Sequence, residues 1–350
     1  MHLTENSRKL TNLRVSYSSD FNEKHFVQDV IRQWNIGAKE FTLTTSGSTG
    51  TPKEIQLSRK LLIWSCEQTF SSLQLSKSNG QYSTLCCLPV RKTGGFMQLI
   101  RALHFDWHIH FINPSANPSE ELKEYASHFD LSSFTPNQMQ KILAADKALL
   151  SPQTAILIGG AHIPDTLEHK LIAYAKGTKT DIWETYGMTE TASHIALRKI
   201  GTDQYFKPQH GVDVSLDDNQ LCIAIPALTI FIKTNDIASL HSGGFEILGR
   251  SDDVINSGGI KIHPSLVEPQ IKELLVSSGI DRAFYMTKKK DTELGEKAVL
   301  VVEGVPITDT VHLLEMLKRE LPLYHNPKEI IFIDQVTYTD TGKVRRVAID

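Results

Sequence analysis

Hydrophobic positions along the first 190 residues switch repeatedly between two spacings. Short apolar runs, which are typical of buried strands, occur at 41–45, 84–88, 107–112, 155–158 and 181–183. Amphipathic stretches, which predict helices, occur at 96–104, 119–128, 136–145 and 165–176. Strands that alternate with helices in this way predict a layered α/β domain built on a largely parallel sheet.

The pattern changes in the last third of the chain. Residues 212–248 lose the helical spacing and predict short strands joined by turns. Beyond Gly249–Asp252 the chain predicts a small α+β domain, with helices at 264–277 and 309–320 and strands at 282–287, 297–302 and 329–336. We therefore predict a larger domain over 1–249 and a smaller one over 253–350, separated by residues 250–252.

Composition excludes several classes of protein. With 350 residues, 40% hydrophobic and 22% charged, the chain has the make-up of a globular protein of about two domains. A net charge of −3 gives no field that would attract nucleic acid or an anionic membrane. The chain has no apolar run of transmembrane length, no signal-peptide core and no CxxC pair among its four cysteines. We therefore expect a cytoplasmic protein with reduced, buried thiols.

The most specific candidate for chemistry is a loop between the strand at 41–45 and a second predicted strand at 54–58. Its sequence is Thr45-Ser46-Gly47-Ser48-Thr49-Gly50-Thr51-Pro52-Lys53. The glycines let backbone N–H groups turn toward an anion, the hydroxyls can donate to phosphate oxygens, and Lys53 adds a positive charge. A Ser- and Gly-rich hairpin turn is the alternative, but such turns usually contain only about two to five residues. The length of this loop therefore favours phosphate binding.

This loop differs from a Walker loop in two ways. A Walker loop has Gly-Lys-Ser/Thr in direct succession and opens a helix. Here Thr51 and Pro52 separate Gly50 from Lys53, and the next predicted element is a strand. The sequence therefore argues against a P-loop nucleotide triphosphatase.

Four further motifs follow the loop in this order: Tyr186-Gly187-Met188-Thr189-Glu190, Gly249-Arg250-Ser251-Asp252-Asp253, Ser257-Gly258-Gly259-Ile260-Lys261 and Thr341-Gly342-Lys343-Val344-Arg345. Together with the loop they resemble the signature motifs of the adenylate-forming superfamily, which includes acyl- and aryl-CoA synthetases, luciferases and peptide-synthetase adenylation domains. Each motif alone is weak, whereas their order over residues 45–345 is specific. The loop begins much earlier in this chain than in the family, so the resemblance implies an N-terminally shortened adenylate-forming fold with a mobile C-terminal lid.

The resemblance implies that the protein uses ATP and Mg²⁺ to activate a carboxylic acid and then transfers the acyl group to coenzyme A. Both reactants of the first step are anions, so the site must neutralise charge and align the reacting groups. The implied catalytic residues are Lys343, Glu190 and Thr189. Lys343 would bridge the carboxylate and the α-phosphate, Glu190 would bind Mg²⁺, and Thr189 would contact the α-phosphate.

Other implied roles concern the nucleotide and the lid. Asp252 would be the hinge pivot, and Gly258 and Gly259 would line the tunnel for coenzyme A. Tyr186 would stack on adenine, and Asp236, which could equally be a turn residue, would bind the ribose. The residues implied to bind ATP are Thr45, Ser46, Gly47, Ser48, Thr49, Gly50, Lys53, Gly159, Gly160, Ala161, Tyr186, Gly187, Asp236 and Arg250.

Within the superfamily, the chain most resembles the o-succinylbenzoate–CoA ligases of menaquinone biosynthesis, through LIGGAHIP at 157–164, YGMTETASHIALR at 186–198 and GFEILGRSDDVINSGGIKIHP at 244–264. That acid has a second carboxylate, which needs a cationic or hydrogen-bonding partner if it is buried. The candidate partners are His194, Arg198, Arg91, Lys92 and Arg101. We assign His194 as the substrate contact; it would share a face with Arg198 if this segment is helical.

Two alternatives remain open at this stage. The protein could be another aryl- or acyl-CoA ligase, or an adenylation enzyme that loads a carrier protein. It could also be a nucleotide-binding remnant without catalysis, although a pure binder would need neither Glu190 nor Lys343. The expected partners are ATP, coenzyme A and a small carboxylic acid, with neither nucleic acid nor membrane, and a homo-oligomer is compatible with the sequence.

Overall fold

A computed structural model describes residues 13–45, 53–75, 81–124, 129–150, 153–338 and 344–349. The chain divides into two compact units, Met1–Val212 and Asp213–Asp350. Within the described ranges, no helix combines the length and the hydrophobicity that are needed to cross a lipid bilayer.

The first unit is built on a mixed sheet and a separate hairpin. The strands described in this unit are β1 (Arg14–Tyr17), β2 (Glu40–Thr45), β3 (Lys53–Ser58), β4 (Ser83–Cys86), β5 (His108–Phe111), β6 (Phe129–Phe134), β7 (Gln153–Ile158), β8 (Asp181–Gly187), β9 (His194–Lys199) and β10 (Lys207–Pro208). The large sheet has the order β1-β5-β4-β6-β7-β8-β9-β10. Neighbouring strands run parallel from β1 to β8, and β9 and β10 are antiparallel to their neighbours. This confirms the predicted, largely parallel sheet.

Helices cover this sheet and supply its core. They are α1 (Lys24–Asn35), α2 (Arg59–Ser72), α3 (Thr93–Phe105), α4 (Ser119–Lys123), α5 (Pro136–Ala145) and α6 (Asp165–Gly177). Helix α5 begins where its sequence dictates, because Pro136 suits the first helical position and Thr135 forms a reciprocal capping box with Gln138. Helix α3 is almost completely buried, from Gly95 to Leu103. It is therefore a rigid element at the centre of the unit.

Strands β2 and β3 form an antiparallel hairpin that brackets the predicted phosphate loop. Thr45 lies directly opposite Lys53 in its register. Residues 46–52, which carry most of the predicted loop, lie outside the described residues. The Ser58 side chain accepts a hydrogen bond from the Leu61 backbone N–H and so caps α2 immediately after β3. Both ends of the loop are thus held by ordered structure.

The second unit contains two sheets. The first consists of the antiparallel strands β11 (Asp213–Asp217), β12 (Gln220–Ile225), β13 (Ile230–His241) and β14 (Gly244–Arg250). The second consists of β15 (Ile255–Ser257), β16 (Ile260–Ile262), β17 (Phe284–Asp291), β18 (Gly295–Glu303) and β19 (Glu329–Ile333), with helices α7 (Pro264–Ser277) and α8 (Thr310–Glu320). The apolar side chains of α7 and α8 share one core with this second sheet.

The layered α/β fold class is confirmed, and helices α5 and α7 have the predicted bounds. Segment 194–198 is a strand, β9, so the helical interpretation of the spacing between His194 and Arg198 is wrong. The predicted boundary at 250–252 lies between the two sheets of the second unit, whereas the compact units divide between Val212 and Asp213. A mobile lid over 253–350 remains a prediction.

Candidate active site

The carboxyl ends of β7 and β8 bring two predicted motifs together. These strands are parallel neighbours, and Ile158 pairs with Glu184, so Gly159 and Tyr186 lie at the same edge of the sheet. The Thr185 hydroxyl donates to the Ile158 carbonyl at 3.3 Å. A Cβ on Gly159 would lie only 2.2 Å from the Thr185 oxygen. A Cβ at position 159 therefore fits only if the Thr185 hydroxyl moves, and glycine keeps an open backbone edge where ligands bind in parallel sheets.

The motif after β8 forms a tight turn that presents Glu190. The Thr191 side chain accepts from the Met188 backbone N–H at 3.1 Å and donates to the Ser193 carbonyl at 2.7 Å. A Cβ on Gly187 would lie 2.2 Å from the Ser193 carbonyl oxygen, so only glycine lets the turn close. Glu190 is exposed at this turn. Its carboxylate is thus carried on a tightly hydrogen-bonded turn and remains accessible to a ligand.

Thr189 is tied to the start of α3. Its hydroxyl lies 2.7 Å from the hydroxyl of Thr93, the first residue of that helix. A Cβ on Gly95 would approach the Pro89 carbonyl oxygen to 2.5 Å, so the helix starts close to the loop that precedes it. Sequence reasoning missed Thr93, because its partner is 96 residues away along the chain.

The turn that carries Glu190 also contacts β3, the strand that begins at Lys53. Thr45, on β2, lies opposite Lys53. The described ends of the predicted phosphate loop therefore lie in the same part of the first unit as Glu190. Such proximity is required if one triphosphate is to touch both.

Tyr186 faces an aromatic neighbour that sequence reasoning also missed. Its ring centroid lies 5.8 Å from that of Phe206, with the rings tilted by 54°. Both rings are partly exposed. Tyr186 pairs with Ala196, and Ala196 pairs with Pro208, so β10 brings Phe206 to this edge. The pair offers apolar, planar surface of the kind that purine and aryl rings pack against.

A chain of buried polar groups runs from α2 through β9 to α3. Arg101, which is only 2% exposed, donates to the Ser193 hydroxyl at 2.7 Å. Ser193 contacts Nδ1 of His194 at 3.3 Å, and Nε2 of His194 contacts the Thr69 hydroxyl at 3.0 Å. Nε of Arg101 has no hydrogen-bond partner among the described residues. The buried guanidinium therefore retains unused donor capacity beside the Glu190 turn.

Electrostatics keep His194 neutral. Burial, and then the charge of Arg101, lower the pKa of His194 well below its usual value. Burial also lowers the pKa of Arg101 and raises that of Cys66 on the neighbouring helix to about 12. Within this group the guanidinium is therefore the positive charge, and His194 acts as a neutral hydrogen-bonding group at physiological pH.

Two other candidates for the distal carboxylate already have strong partners. Arg198 forms ion pairs with Glu168 at 2.8 Å and with Glu184 at 2.7 Å, which raise its pKa against the effect of burial. Arg91 pairs with Glu23 at 3.0 Å. Both guanidinium groups are therefore occupied by carboxylates of the chain itself.

In the second unit, Asp236, Arg250 and Asp252 form one ion cluster. Arg250 binds Asp252 through two hydrogen bonds of 2.9 and 2.8 Å and Asp236 through one of 3.1 Å. Burial would raise the pKa of Asp252, but its bonds to Arg250 hold it below the usual value. Asp236, which we predicted to bind the ribose, and Asp252, which we predicted to be the hinge pivot, therefore share the guanidinium of Arg250.

The remaining predicted residues are only partly described. Gly258 and Gly259 form the turn between β15 and β16 with φ of +61° and +85°, which glycine adopts without strain. Lys343 lies outside the described residues, but Val344 pairs with Tyr338 and so fixes the chain next to it. Gly160 and Ala161 follow β7 at the sheet edge.

The donors at the Glu190 turn suit Mg²⁺. A carboxylate and nearby hydroxyls are hard oxygen ligands, and Mg²⁺ usually combines one or two carboxylates with water and substrate phosphates. The described residues contain no group of three or more His, Cys, Asp or Glu that could hold a metal.

A separate cleft of about 600 Å³ lies at the opposite edge of the sheet. It is lined by Leu13, Arg14, Gln81 and Asp106. These residues precede or open strands β1, β4 and β5. Ligands of parallel sheets bind at the carboxyl ends of the strands, so this cleft is not the candidate active site.

The chain is similar to known ligases over most of its length. A 2-succinylbenzoate–CoA ligase of Listeria monocytogenes is 23% identical over 360 residues, which cover 95% of this chain and 74% of that protein. An indoleacetate–CoA ligase of Aromatoleum aromaticum is 26% identical over 86% of this chain and 65% of that protein. The acid that each relative's name specifies differs, so these similarities do not by themselves identify a substrate.

Solved structures share the fold. The acyl-CoA synthetase (AMP-forming)/AMP-acid ligase II-like protein of Dyadobacter fermentans is 32% identical, with 91% of both chains covered and a TM-score of 0.58. The o-succinylbenzoate CoA synthetase of Bacillus subtilis, solved with an acyl-adenylate intermediate, covers 96% of this chain and 77% of its own, with a TM-score of 0.73 and 19% identity. A family model described as AMP-binding enzyme matches residues 41–224, which is more than half of the chain. This match over more than half of the chain shows that the protein belongs to the AMP-binding enzyme family.

Proposed function

We propose that this protein is an AMP-forming acid–thiol ligase that converts o-succinylbenzoate to o-succinylbenzoyl-CoA, a step of menaquinone biosynthesis. The observation that carries the proposal is the exposed Glu190 on a turn that contacts the strand begun by Lys53. This arrangement supports the proposal, because it would let one triphosphate contact the Glu190 carboxylate, nearby hydroxyls and the Lys53 ammonium group. Its donors suit ATP and Mg²⁺, and coenzyme A is the proposed acceptor.

In the first half-reaction, a carboxylate oxygen of the acid attacks the α-phosphorus of ATP. The bond to the bridging oxygen breaks, and pyrophosphate leaves. Thr189 would bind the α-phosphate, Lys53 the terminal phosphates, and Lys343 both reacting anions. Mg²⁺, held by Glu190 and the triphosphate, would neutralise the charge of the leaving pyrophosphate.

In the second half-reaction, the sulfur of coenzyme A attacks the acyl carbon of the adenylate. The bond from this carbon to the AMP oxygen breaks, and the thiol proton is released as AMP leaves. The proposal assigns Asp252 as the pivot about which residues 253–350 turn between the two steps. Gly258 and Gly259 would then leave room for the thiol arm.

The surroundings of Arg101 favour a substrate with two carboxylates. A buried guanidinium with only a hydroxyl partner among the described residues is costly unless an anion or water completes its bonds. The second carboxylate of o-succinylbenzoate would supply that anion, and Ser193 would share it. His194, which we predicted as the contact, would then orient Ser193 from a buried position.

The test is pyrophosphate exchange into ATP in the presence of o-succinylbenzoate, benzoate or fatty acids. We expect exchange with o-succinylbenzoate and much less with the monocarboxylic acids. Coenzyme A should then yield a thioester, whereas a carrier-protein-loading enzyme would leave coenzyme A unacylated. Failure of every acid to support exchange would overturn the proposal and favour a non-catalytic nucleotide-binding protein.

A further inference from the structure

Arg346 holds a position that the catalytic scheme has not used. The residue lies three positions after Lys343, so at most about 11 Å of extended chain separates the two. Its Nη2 lies 2.5 Å from Oε2 of Glu268 on α7, and its Nη1 lies 3.5 Å from Oδ2 of Asp253. Its side chain is only 24% exposed. One guanidinium thus bridges two acidic groups from distant parts of the chain.

The two acidic partners are well placed to fix the guanidinium. Glu268 also accepts a hydrogen bond from the Met286 backbone N–H at 2.8 Å, so its carboxylate is held by both α7 and β17. Asp253 directly follows Asp252, the proposed pivot. Arg346 therefore connects the segment behind Lys343 to the first residue beyond the hinge.

The backbone on either side of Arg346 is held by hydrogen bonds to other parts of the second unit. Val344 pairs with Tyr338, and the Arg345 backbone N–H donates to the Thr337 carbonyl at 2.9 Å. Further along, the Thr287 hydroxyl donates to the Val347 carbonyl at 3.1 Å. The segment after the lysine is thus fixed on both sides of the arginine.

We propose that Arg346 is a positioning residue for Lys343. By joining the lysine segment to Asp253 and to Glu268, it makes the lysine turn with the hinge-proximal part of the lid as one body. The inference rests on the proposed function, since it requires Lys343 to act in adenylate formation. A displacement of about 1 Å at a reacting group can cost about 100-fold in rate. Loss of the Arg346 ion pairs would therefore slow adenylate formation selectively.

The experiment compares both half-reactions in four variants. Arg346→Ala removes both ion pairs, Arg346→Lys keeps the charge without the planar two-armed geometry, and Asp253→Asn weakens the hinge-side pair alone. Arg319→Ala is the matched control, because this arginine on α8 is 73% exposed and its ion pair is with the neighbouring Glu320. The readouts are pyrophosphate exchange, thioester formation from supplied acyl-adenylate and coenzyme A, and Tm.

We expect Arg346→Ala to lower exchange about tenfold to 100-fold, while thioester formation from supplied adenylate changes little. Arg346→Lys and Asp253→Asn should fall between this variant and wild type, and Arg319→Ala should match wild type. In a Lys343→Ala background, Arg346→Ala should cause no further loss of exchange, because it acts through the lysine.

Equal losses in both half-reactions, or a full additional loss in the Lys343→Ala background, would assign Arg346 a merely structural role and overturn the inference. Unchanged exchange in both Arg346 variants would also overturn it, while leaving the proposed function intact. Absence of exchange in the wild-type protein would instead refute the proposed function.

Discussion

Arg101 is the residue whose surroundings distinguish among the possible substrates. Of five candidate partners for a distal carboxylate, we assigned His194 from the sequence, whereas the structure shows unused donor capacity on Arg101. The choice depends on burial and on ion pairs to residues far away in the chain, such as Glu168 with Arg198. Motif order singled out Glu190 as a candidate. Thr93, Ser193 and Phe206 required the fold, because nothing local marks them as neighbours of Thr189, Arg101 and Tyr186.

Replacing Arg101 should change specificity more than chemistry. We expect Arg101→Met to lower kcat/KM for o-succinylbenzoate by about 30-fold or more, because losing one partner of a buried charge pair costs about 2–5 kcal/mol. Arg91→Met, in which the lost partner is Glu23, should have little effect. The measurement is the ratio of exchange rates for o-succinylbenzoate and benzoate. An unchanged ratio in Arg101→Met would remove this residue from the substrate site.

Gly159 should not tolerate even one methyl group. We expect Gly159→Ala to raise the KM for ATP or to lower stability, because its Cβ would lie 2.2 Å from the Thr185 hydroxyl oxygen. Thr185→Ser/Gly159→Ala keeps the clashing oxygen but allows it to rotate, so this double variant should recover part of the loss. A wild-type KM for ATP together with a wild-type Tm in Gly159→Ala would contradict the close packing described for β7 and β8.

At the scale of elements, buried polar residues explain why the hydrophobic pattern did not predict strand β6. Strand β6 contains Ser132 and Ser133, whose hydroxyls donate to Gln153 at 2.6 Å and to Gln98 at 2.7 Å. These hydrogen bonds allow polar residues in a buried strand, so residues 129–134 do not form the apolar run that predicts a buried strand. Helix α1 was missed too, although Val27, Val30 and Trp34 bury one face at helical spacing. Helix α7, which buries Pro264, Val267, Ile271 and Leu275, has the predicted bounds.

The ion cluster of Arg198 should hold α6, β8 and β9 together. We expect Arg198→Met to lower the free energy of unfolding by about 3–5 kcal/mol, because Glu168 and Glu184 would be left without their buried cation. Urea denaturation measures this loss. Adding Glu184→Gln should restore part of it. An equal loss in the double variant would mean that the guanidinium contributes packing rather than charge pairing.

Lys343 belongs to the C-terminal element that the proposal treats as a lid. We expect Lys343→Ala to slow adenylate formation about 100-fold or more while leaving ATP affinity largely unchanged, because its proposed role is to bind the two reacting anions in the transition state. Lys290→Ala, at an exposed position on β17, is the control. Rapid-quench kinetics and nucleotide titration separate the two effects, and normal adenylation in Lys343→Ala would remove the assigned role.

At the scale of the whole molecule, buried histidines should make the fold sensitive to acid. Burial lowers the pKa of His110 to about 4 and that of His194 well below the usual 6.5. Such groups bind protons more readily in the unfolded chain, so their contribution is full above about pH 6.5 and is lost as pH falls toward the folded-state pKa. We expect the free energy of unfolding to fall between pH 7 and pH 5, and His194→Gln to reduce this slope. Equal slopes would show that His194 is not a source of the pH dependence.

The central claim is that this chain forms an acyl-adenylate, and the products of a single turnover test it most directly. The protein, ATP, Mg²⁺ and o-succinylbenzoate are mixed without coenzyme A, and the products are identified by mass spectrometry. We expect pyrophosphate and protein-bound o-succinylbenzoyl-AMP, which added coenzyme A converts to a thioester and AMP. Unconsumed ATP, or ADP with an acyl phosphate in place of AMP and pyrophosphate, would contradict it.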